Sequence, residues 1–493
     1  MKLLLRAAIA TIAATAASIP LQDVVADEQT GAVRKWVETN VPAMMQEAMT
    51  PGLAIAVVRD GDTMYADGFG ARDPARGLPV TPDTLFGIGS ITKSFVAISI
   101  LQLADQGKVE LDDPVSKHIP FELGREGVPI TIRHFLTHSP GFPSLATSSI
   151  LLGRGLGEDT GVPMASADDF FRFVNGAHDE IVFDPGEHYF YNNAAWRMLG
   201  AIVQDVSRMP FHEYVTTNVI RPLGMQRTTF DTDALFADPD HLTPHRIRGD
   251  VREPTGFPYT NPADNPGFSF LSAAGGISSS VNEMTRYLNM LIDLGEHDGE
   301  RLVSRRSMQE MQSLHIREPD HDYGTAGYGF GLGVVPDFLG EKLIEHGGSI
   351  AVSTARISLI PARRIGVVTM ANSGGIDHAR ITESVLAILL GEDPGTVIPR
   401  TAIRERMRRF EGSYATYRGI ETIGIVEDDG LLHTVSGNEL TPLIPEDPSY
   451  RGTSFYQLDG GRRTPVEFRF GDDGSVMMLR ARYVFHKLGV GPE

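Results

Sequence analysis

From Gly52 to Val58 the chain is a short apolar run rich in β-branched residues, Arg59-Asp60-Gly61-Asp62 is a turn signal, and Thr63 to Phe69 resumes an extended pattern. That combination predicts a hairpin. Between Thr92 and Asp105 the period changes. Phe95, Val96, Ile98, Ile100, Leu101, Leu103 and Ala104 recur at helical spacing, which predicts a helix opened by Ser90 and stopped near Gly107. Further helices are predicted at Ala167 to Asn175, Asn193 to Val206 and Val281 to Leu294, the last behind a serine cap at 278–280. After Ser349 the pattern returns to strands, at Ser353 to Ile360 and Ile365 to Met370, followed by a helix at Ile381 to Leu390. Strands near both ends of this region with helices between them imply an α/β (α+β) fold. Its sheet is assembled from both termini, and the helical insertions form a second lobe.

Gly391 to Pro399 has the composition of a linker. Beyond it, strand-like runs at Ile420 to Val426, Leu431 to Val435, Thr453 to Leu458, Val466 to Phe470 and Val476 to Phe485 are punctuated by Asp-Gly turns. A small all-β barrel is therefore expected over residues 403–493, behind a larger domain over 27–395. Residues 1–26 carry Lys2 and Arg6, a stretch of small and apolar residues to Ile19, and small-residue cleavage candidates at 14–16 and 24–26. This is the pattern of a secretory signal and predicts a periplasmic or secreted protein.

Composition narrows the function. The 493 residues are 41% hydrophobic and 22% charged, as in ordinary globular proteins, and no apolar run is long enough to span a bilayer. A net charge of −19 disfavours a nucleic-acid partner. The absence of cysteine excludes a thiol nucleophile, a disulfide framework and the usual structural zinc sites.

Three short segments carry chemistry. Ser90-Ile91-Thr92-Lys93 puts a hydroxyl and an amine on one helical face, where the amine can act as base once burial or neighbouring cations favour its neutral form. Tyr191-Asn192-Asn193 follows a turn and precedes a helix, so a phenol and an amide can enter one cleft; the phenol could act as a general base if cations lower its pKa. His346-Gly347-Gly348-Ser349 leads into the terminal strand pair, and its glycines let a substrate lie against an edge strand with a free N–H as oxyanion donor. Each segment alone has a plain structural alternative: Ser90 as a helix cap with a solvated Lys93, a buried Tyr191 beside a capping asparagine, and a simple turn at the glycines.

Taken together, in this order and at these separations, the three segments resemble the serine β-lactamase and penicillin-binding-protein superfamily. The likeness is to the branch of class C β-lactamases, D-aminopeptidases, DD-peptidases and family VIII esterases. Phe86 to Ser90, Leu136 to Gly141, Arg221 to Met225 and Ala274 to Ile277 share the resemblance, which covers roughly residues 35–390. It implies an antiparallel sheet flanked by helices with a helical lobe, and a site between them. Ser90 would be the acylated nucleophile, Lys93 and Tyr191 would share acid–base work, and Asn193 would orient Lys93 and the substrate amide. The N–H groups of Ser90 and Ser349 would form the oxyanion hole, with His346, Gly347 and Gly348 lining the substrate strand. The tail resembles the lipocalin-like C-terminal barrels of some members. No cofactor or metal is implied, and the oligomeric state is left open.

One departure matters. Where β-lactamases and DD-peptidases have Lys-Thr-Gly, this chain has His346-Gly347-Gly348, lacking the hydroxyl and fixed cation that grip a substrate carboxylate. A serine hydrolase acting on small esters or amides is therefore expected ahead of a β-lactamase, a DD-peptidase or a non-catalytic protein that binds peptidoglycan peptides. Competing motifs are weaker. His134 and His138 stand four apart but lack the glutamate of a zinc-protease helix, Gly347 to Ala351 falls short of a Gly-x-Ser-x-Gly elbow, and Gly329 to Gly333 is expected as close-packed strand.

Overall fold

The computed structural model describes residues 21–489, apart from 159, 320, 429 and 438. The expected signal segment therefore lies mostly outside the described residues. A long helix α1 (Leu21–Glu47) precedes strands β1 (Gly52–Arg59), β2 (Asp62–Asp73) and β3 (Leu78–Pro79). Six more strands follow after the helical region: β4 (Ile316–Arg317), β5 (Gly327–Tyr328), β6 (Gly333–Phe338), β7 (Glu341–Ser349), β8 (Thr354–Ile360) and β9 (Ile365–Ala371). They form one antiparallel nine-stranded sheet in the order β4-β5-β6-β7-β8-β9-β1-β2-β3. The sheet is thus built from both ends of the domain, with β1 paired to β9.

The alternation within β1 shows what holds the layers together. Leu53, Ile55 and Val57 join a core with α1 and α6 (His378–Leu389), whereas Ala54, Ala56 and Val58 point into the larger core shared with the helical lobe. Both faces are covered, so the strand reads as continuously apolar. That lobe contains α2 (Thr92–Asp105), α3 (Thr147–Gly155), α4 (Asn193–Ser207) and α5 (Val281–Ile292). Ser280 caps α5 by accepting a hydrogen bond from the Glu283 N–H at 3.2 Å.

Three local expectations are corrected. Ser90 does not open α2: it lies in a short 3₁₀ turn, Gly89–Ile91, and the helix begins at Thr92 with no side-chain cap. Of the glycines at 329–333 expected as strand, Gly329 and Gly331 lie in the turn between β5 and β6, and only Gly333 is in a strand, opening β6 opposite Tyr328. The stretch read as a linker holds a short helix, Pro394–Val397, capped by Asp393 and running into α7 (Pro399–Arg408). Asp-Pro is a helix-start signal as much as a loop signal, and Ile398 is buried in the core beside α6.

The tail is a closed eight-stranded barrel: β10 (Gly412–Ala415), β11 (Thr422–Asp428), β12 (Leu431–Ser436), β13 (Glu439–Pro445), β14 (Ser454–Asp459), β15 (Arg462–Phe470), β16 (Val476–Arg480) and β17 (Tyr483–Lys487). The run read as one strand from Val476 is a hairpin that turns at Ala481, and β10 and β13 were not anticipated. Phe455, Phe468, Leu432, Ile425 and Met478 fill the interior, and Met407 and Phe410 from the end of α7 enter the same cluster. The barrel is packed with side chains.

Candidate active site

All three chemical segments meet at one cavity of about 690 Å³, lined among others by Ser90, Tyr191, Asn193, His346, Gly347, Gly348 and Ser349. Lys93 is buried beneath Ser90, its Nζ donating to Ser90 Oγ at 2.8 Å and to the Ala274 carbonyl at 2.7 Å. The structural alternative of a capping serine and a solvated lysine does not hold. Burial first, and the positive charge of Arg197 second, hold the Lys93 ammonium well below the ordinary lysine range.

Tyr191 comes from the turn before α4, and Lys93 Nζ lies 4.9 Å from the centre of its ring. Asn192, not Asn193, is the helix cap: its Oδ1 accepts from the Ala195 N–H at 3.1 Å, and its amide donates to the Phe142 and Pro143 carbonyls. Asn193 is left to face the cavity, but the second acceptor on Lys93 is the Ala274 carbonyl and not the expected Asn193 amide. A second correction concerns Tyr191. Its reading as a general base needed cations to lower its pKa; instead burial raises it, and the hydrogen bond from Ser90 and the charge of Arg197 oppose that only in part. The phenol stays protonated.

β7 is an inner strand, not the edge expected. Its pairing with β6 ends at Glu345, so His346 to Ser349 run past β6 and face the Ser90 turn as a local edge. Gly89 sits at φ +52°, and a Cβ there would stand 2.4 Å from the Ser349 nitrogen; one on Gly348 would stand 3.2 Å from the Ser90 nitrogen. Only glycine lets the two N–H groups come this close. His346 donates from Nδ1 to the Gly347 carbonyl and accepts the Tyr328 hydroxyl at Nε2 (2.7 Å). Burial and the Lys93 charge push its pKa down to about 3, so the imidazole is neutral. Arg356 lies opposite Gly347 but is held between Glu345 and Glu383.

Sequence reasoning missed several neighbours. His138 was weighed only as a helix-end residue or metal ligand. It packs on Tyr191 with ring centres 4.3 Å apart, while His134 binds the Thr131 N–H, so the two histidines serve different contacts. Arg197, Tyr259 and Tyr328 had no local motif. A charged residue inside the apolar run Ala194-Ala195-Trp196-Arg197-Met198-Leu199 was the one available signal for Arg197.

A family model described as beta-lactamase matches residues 37–390. The chain belongs to the beta-lactamase family. A second model, described as the Pab87 octamerisation domain, matches residues 394–486, and nothing supports the lipocalin-like label expected for this barrel. Similar solved structures include the octameric penicillin-binding protein homologue from Pyrococcus abyssi, at 33% identity and a TM-score of 0.82, covering 92% of this chain and 99% of that one. A beta-lactamase/D-alanine carboxypeptidase from Yersinia pestis, complexed with citrate, is 19% identical with a TM-score of 0.55, covering 74% of this chain and 98% of that one; it shares the fold. Protein flp of Staphylococcus aureus strain MW2 is 26% identical over 344 residues, 69% of this chain. The chain spans 63% of the length of that relative. The serine-hydrolase fold of the beta-lactamase family is thus the frame in which these side chains sit.

Proposed function

We propose that this protein is a serine hydrolase that forms an acyl-enzyme on Ser90 and cleaves small, uncharged esters or amides. The observation that carries this is the buried Lys93 amine 2.8 Å from Ser90 Oγ, on the wall of an open cavity. Ser90 Oγ attacks the substrate carbonyl carbon while Lys93 Nζ takes its proton. The developing oxyanion lies between the N–H groups of Ser90 and Ser349. Tyr191, whose hydroxyl stays protonated, supplies the proton that the leaving alkoxide or amine needs and is reprotonated through Lys93. Asn193 holds the substrate amide or ester oxygen from the cavity wall. Water then attacks the acyl-enzyme with the same groups in reverse roles.

Uncharged substrates are favoured because, among the described residues, neither basic group on this part of β7 and β8 is free to grip an anion: His346 is neutral and Arg356 is ion-paired with Glu345. A fluorophosphonate probe followed by mass spectrometry is the direct test. It should label Ser90 in the folded protein, and Ser90→Ala should lower ester turnover on the order of 10⁴-fold or more with folding little changed. A silent binding protein would take no label. Full activity in the mutant would move the nucleophile to Ser349.

Oligomerisation through the barrel is part of the same proposal. The relative from Pyrococcus abyssi is described as octameric, and the model matching residues 394–486 is named for octamerisation. Among the described residues the exposed large apolar side chains Val182, Phe236 and Val251 lie in the main domain, and the other nine, Tyr417 and Ile420 the most exposed, all lie in the barrel. Export through residues 1–26 rests on the charged-then-apolar pattern alone; N-terminal mass spectrometry of protein from the cell envelope would test it.

A further inference from the structure

Arg197 stands one helical turn beyond Asn193 on α4, fully buried, in a setting unusual for a guanidinium. Its Nη1 donates to Thr147 Oγ1 at 3.0 Å and its Nη2 to Ser148 Oγ at 3.2 Å. The Tyr259 hydroxyl accepts a further hydrogen bond, and Nε has no partner. Among the described residues it forms no ion pair. Arginine does not give up its proton in a protein, so this is a permanent positive charge held by neutral hydroxyls alone. A buried charge without a counter-ion is strongly unfavourable, and packing α3 against α4 would be served as well by a neutral side chain.

The groups around Lys93 indicate what the charge does. Ser90 faces Lys93 from the preceding turn, Tyr191 and Arg197 from the start of α4, His138 from the loop after residues 132–136, and His346 and Tyr328 from β7 and β5. Tyr259 and the Ala274 carbonyl lie toward the segment before α5. The tyrosines are protonated, and burial keeps both histidines neutral. Glu318 and Glu345 line the cavity, but neither pairs with Lys93. Among the described residues Arg197 is therefore the fixed charge that bears on Lys93, in a low-dielectric setting where a second cation is disfavoured.

We propose that Arg197 is a positioning residue: a permanent, unpaired cation buried one helical turn beyond Asn193 so that Lys93 rests as the neutral amine able to take the Ser90 proton. This rests on the serine-hydrolase reading. It also keeps a fixed positive charge close to the site when the oxyanion forms, with no mobile proton needed to provide it.

The test follows two quantities against pH: the rate of fluorophosphonate labelling of Ser90, and kcat/KM for p-nitrophenyl acetate. The proteins are the wild type, Arg197→Gln, Arg197→Lys and Thr147→Val. Arg197→Gln keeps hydrogen-bond donors and loses the charge. Its acid limb should move up by about one to two pH units, the size of one nearby like charge, with labelling recovering to within a few-fold of wild type at high pH. Arg197→Lys offers the same charge on an ammonium that burial can neutralise, as it does at Lys93, so its limb should lie between those of the wild type and Arg197→Gln. Thr147→Val loosens the α3 contact without touching the charge and should leave the limb where it is. Arg197→Met replaces the glutamine variant should that fail to fold. If the charge-removing variant has the wild-type limb, or the lysine variant is displaced further than it, Arg197 is structural only and the proposal is overturned. A wild type whose Ser90 takes no label overturns the serine-hydrolase reading itself, a distinct outcome.

Discussion

Gly347 and Gly348 are adjacent on one strand, and an alanine at each should have opposite consequences. A Cβ on Gly348 would meet the Ile88 carbonyl oxygen at 1.9 Å, its carbon at 2.9 Å and the Ser90 nitrogen at 3.2 Å. Ordinary contact begins near 3.4 Å, so β7 and the Ser90 turn would have to separate by about 1.5 Å. The obstacle is backbone and cannot rotate aside. Moving a reacting group by about 1 Å can cost about 10²-fold, and losing one oxyanion donor costs about 10² to 10³ in kcat. Gly348→Ala should therefore lower kcat for p-nitrophenyl acetate by about two to three decades with a smaller change in KM. At Gly347 the nearest atom to the added methyl is Arg356 Nη1 at 3.9 Å, so Gly347→Ala should stay within about threefold of wild type. Steady-state kinetics with a thermal melt for each protein decides the matter. Equal losses in the two mutants, or a Gly348→Ala enzyme within fivefold of wild type, would show that close approach of β7 to Ser90 is not what catalysis needs.

Substrate choice follows from the same strand. Each charge-assisted contact to a carboxylate contributes roughly 1.5–3 kcal/mol, so without one or two of them kcat/KM for penicillins should fall about one to four decades below that of charge-gripping relatives. Short p-nitrophenyl esters should outrun nitrocefin, and Gly347→Thr, for which there is space, should narrow the gap; penicillin hydrolysis faster than acetate ester hydrolysis would reverse the substrate assignment. Beside the cavity, burial pushes the Glu383 carboxyl from 4.5 up to about 7. The raised value means that the proton it holds adds stability complete below about pH 4.5 and lost as pH rises through 7, so thermal melts of the wild type should fall across that window while Glu383→Gln shows a flatter profile.

How much of this was legible in the chain depended on whether the deciding partner was local. The hairpin, the helices and the terminal strand pair declared themselves because each buries its own repeating apolar face. β13 did not, because Pro442 interrupts it, and β4 and β5 are two residues each. In the site, the spacing of Ser90 and Lys93 put hydroxyl and amine together, and the structure places them at hydrogen-bond distance. The Ala274 carbonyl that takes the other Lys93 bond is 181 residues away, and the hydroxyls around Arg197 come from residues 49, 50 and 62 positions distant. No periodicity carries such information. Whether the condition for a Tyr191 base is met was closed to the sequence for a related reason: the burial that outweighs the Arg197 charge exists only in the folded chain.

The barrel and the catalytic domain meet at α7, and that junction gives the remaining prediction. Arg400 on α7 lines the cavity and bridges Asp322 at 2.9 Å and Asp377 at 3.7 Å, while Arg404 pairs with Glu47 of α1. These are half-exposed pairs, each contributing about 0–1 kcal/mol, so they orient α7 more than they hold the domain together. Ile398, by contrast, is wholly buried in the core beside α6. A chain ending at Pro399 keeps Ile398 and should stay folded and labelled at Ser90, but as a monomer by light scattering. A chain ending at Glu392 loses Ile398 and should melt several degrees lower, as expected for removing a large buried side chain. Without Arg400, Asp377 at the cavity wall loses its cationic partner, as does Asp322. KM for an anionic ester should then rise while that for a neutral ester changes little, and Arg400→Ala in the full chain should reproduce the effect without altering assembly. If the chain ending at Pro399 is insoluble, or if Arg400→Ala treats both esters alike, the barrel supports the catalytic domain by packing, and the charge at this junction has no part in substrate choice.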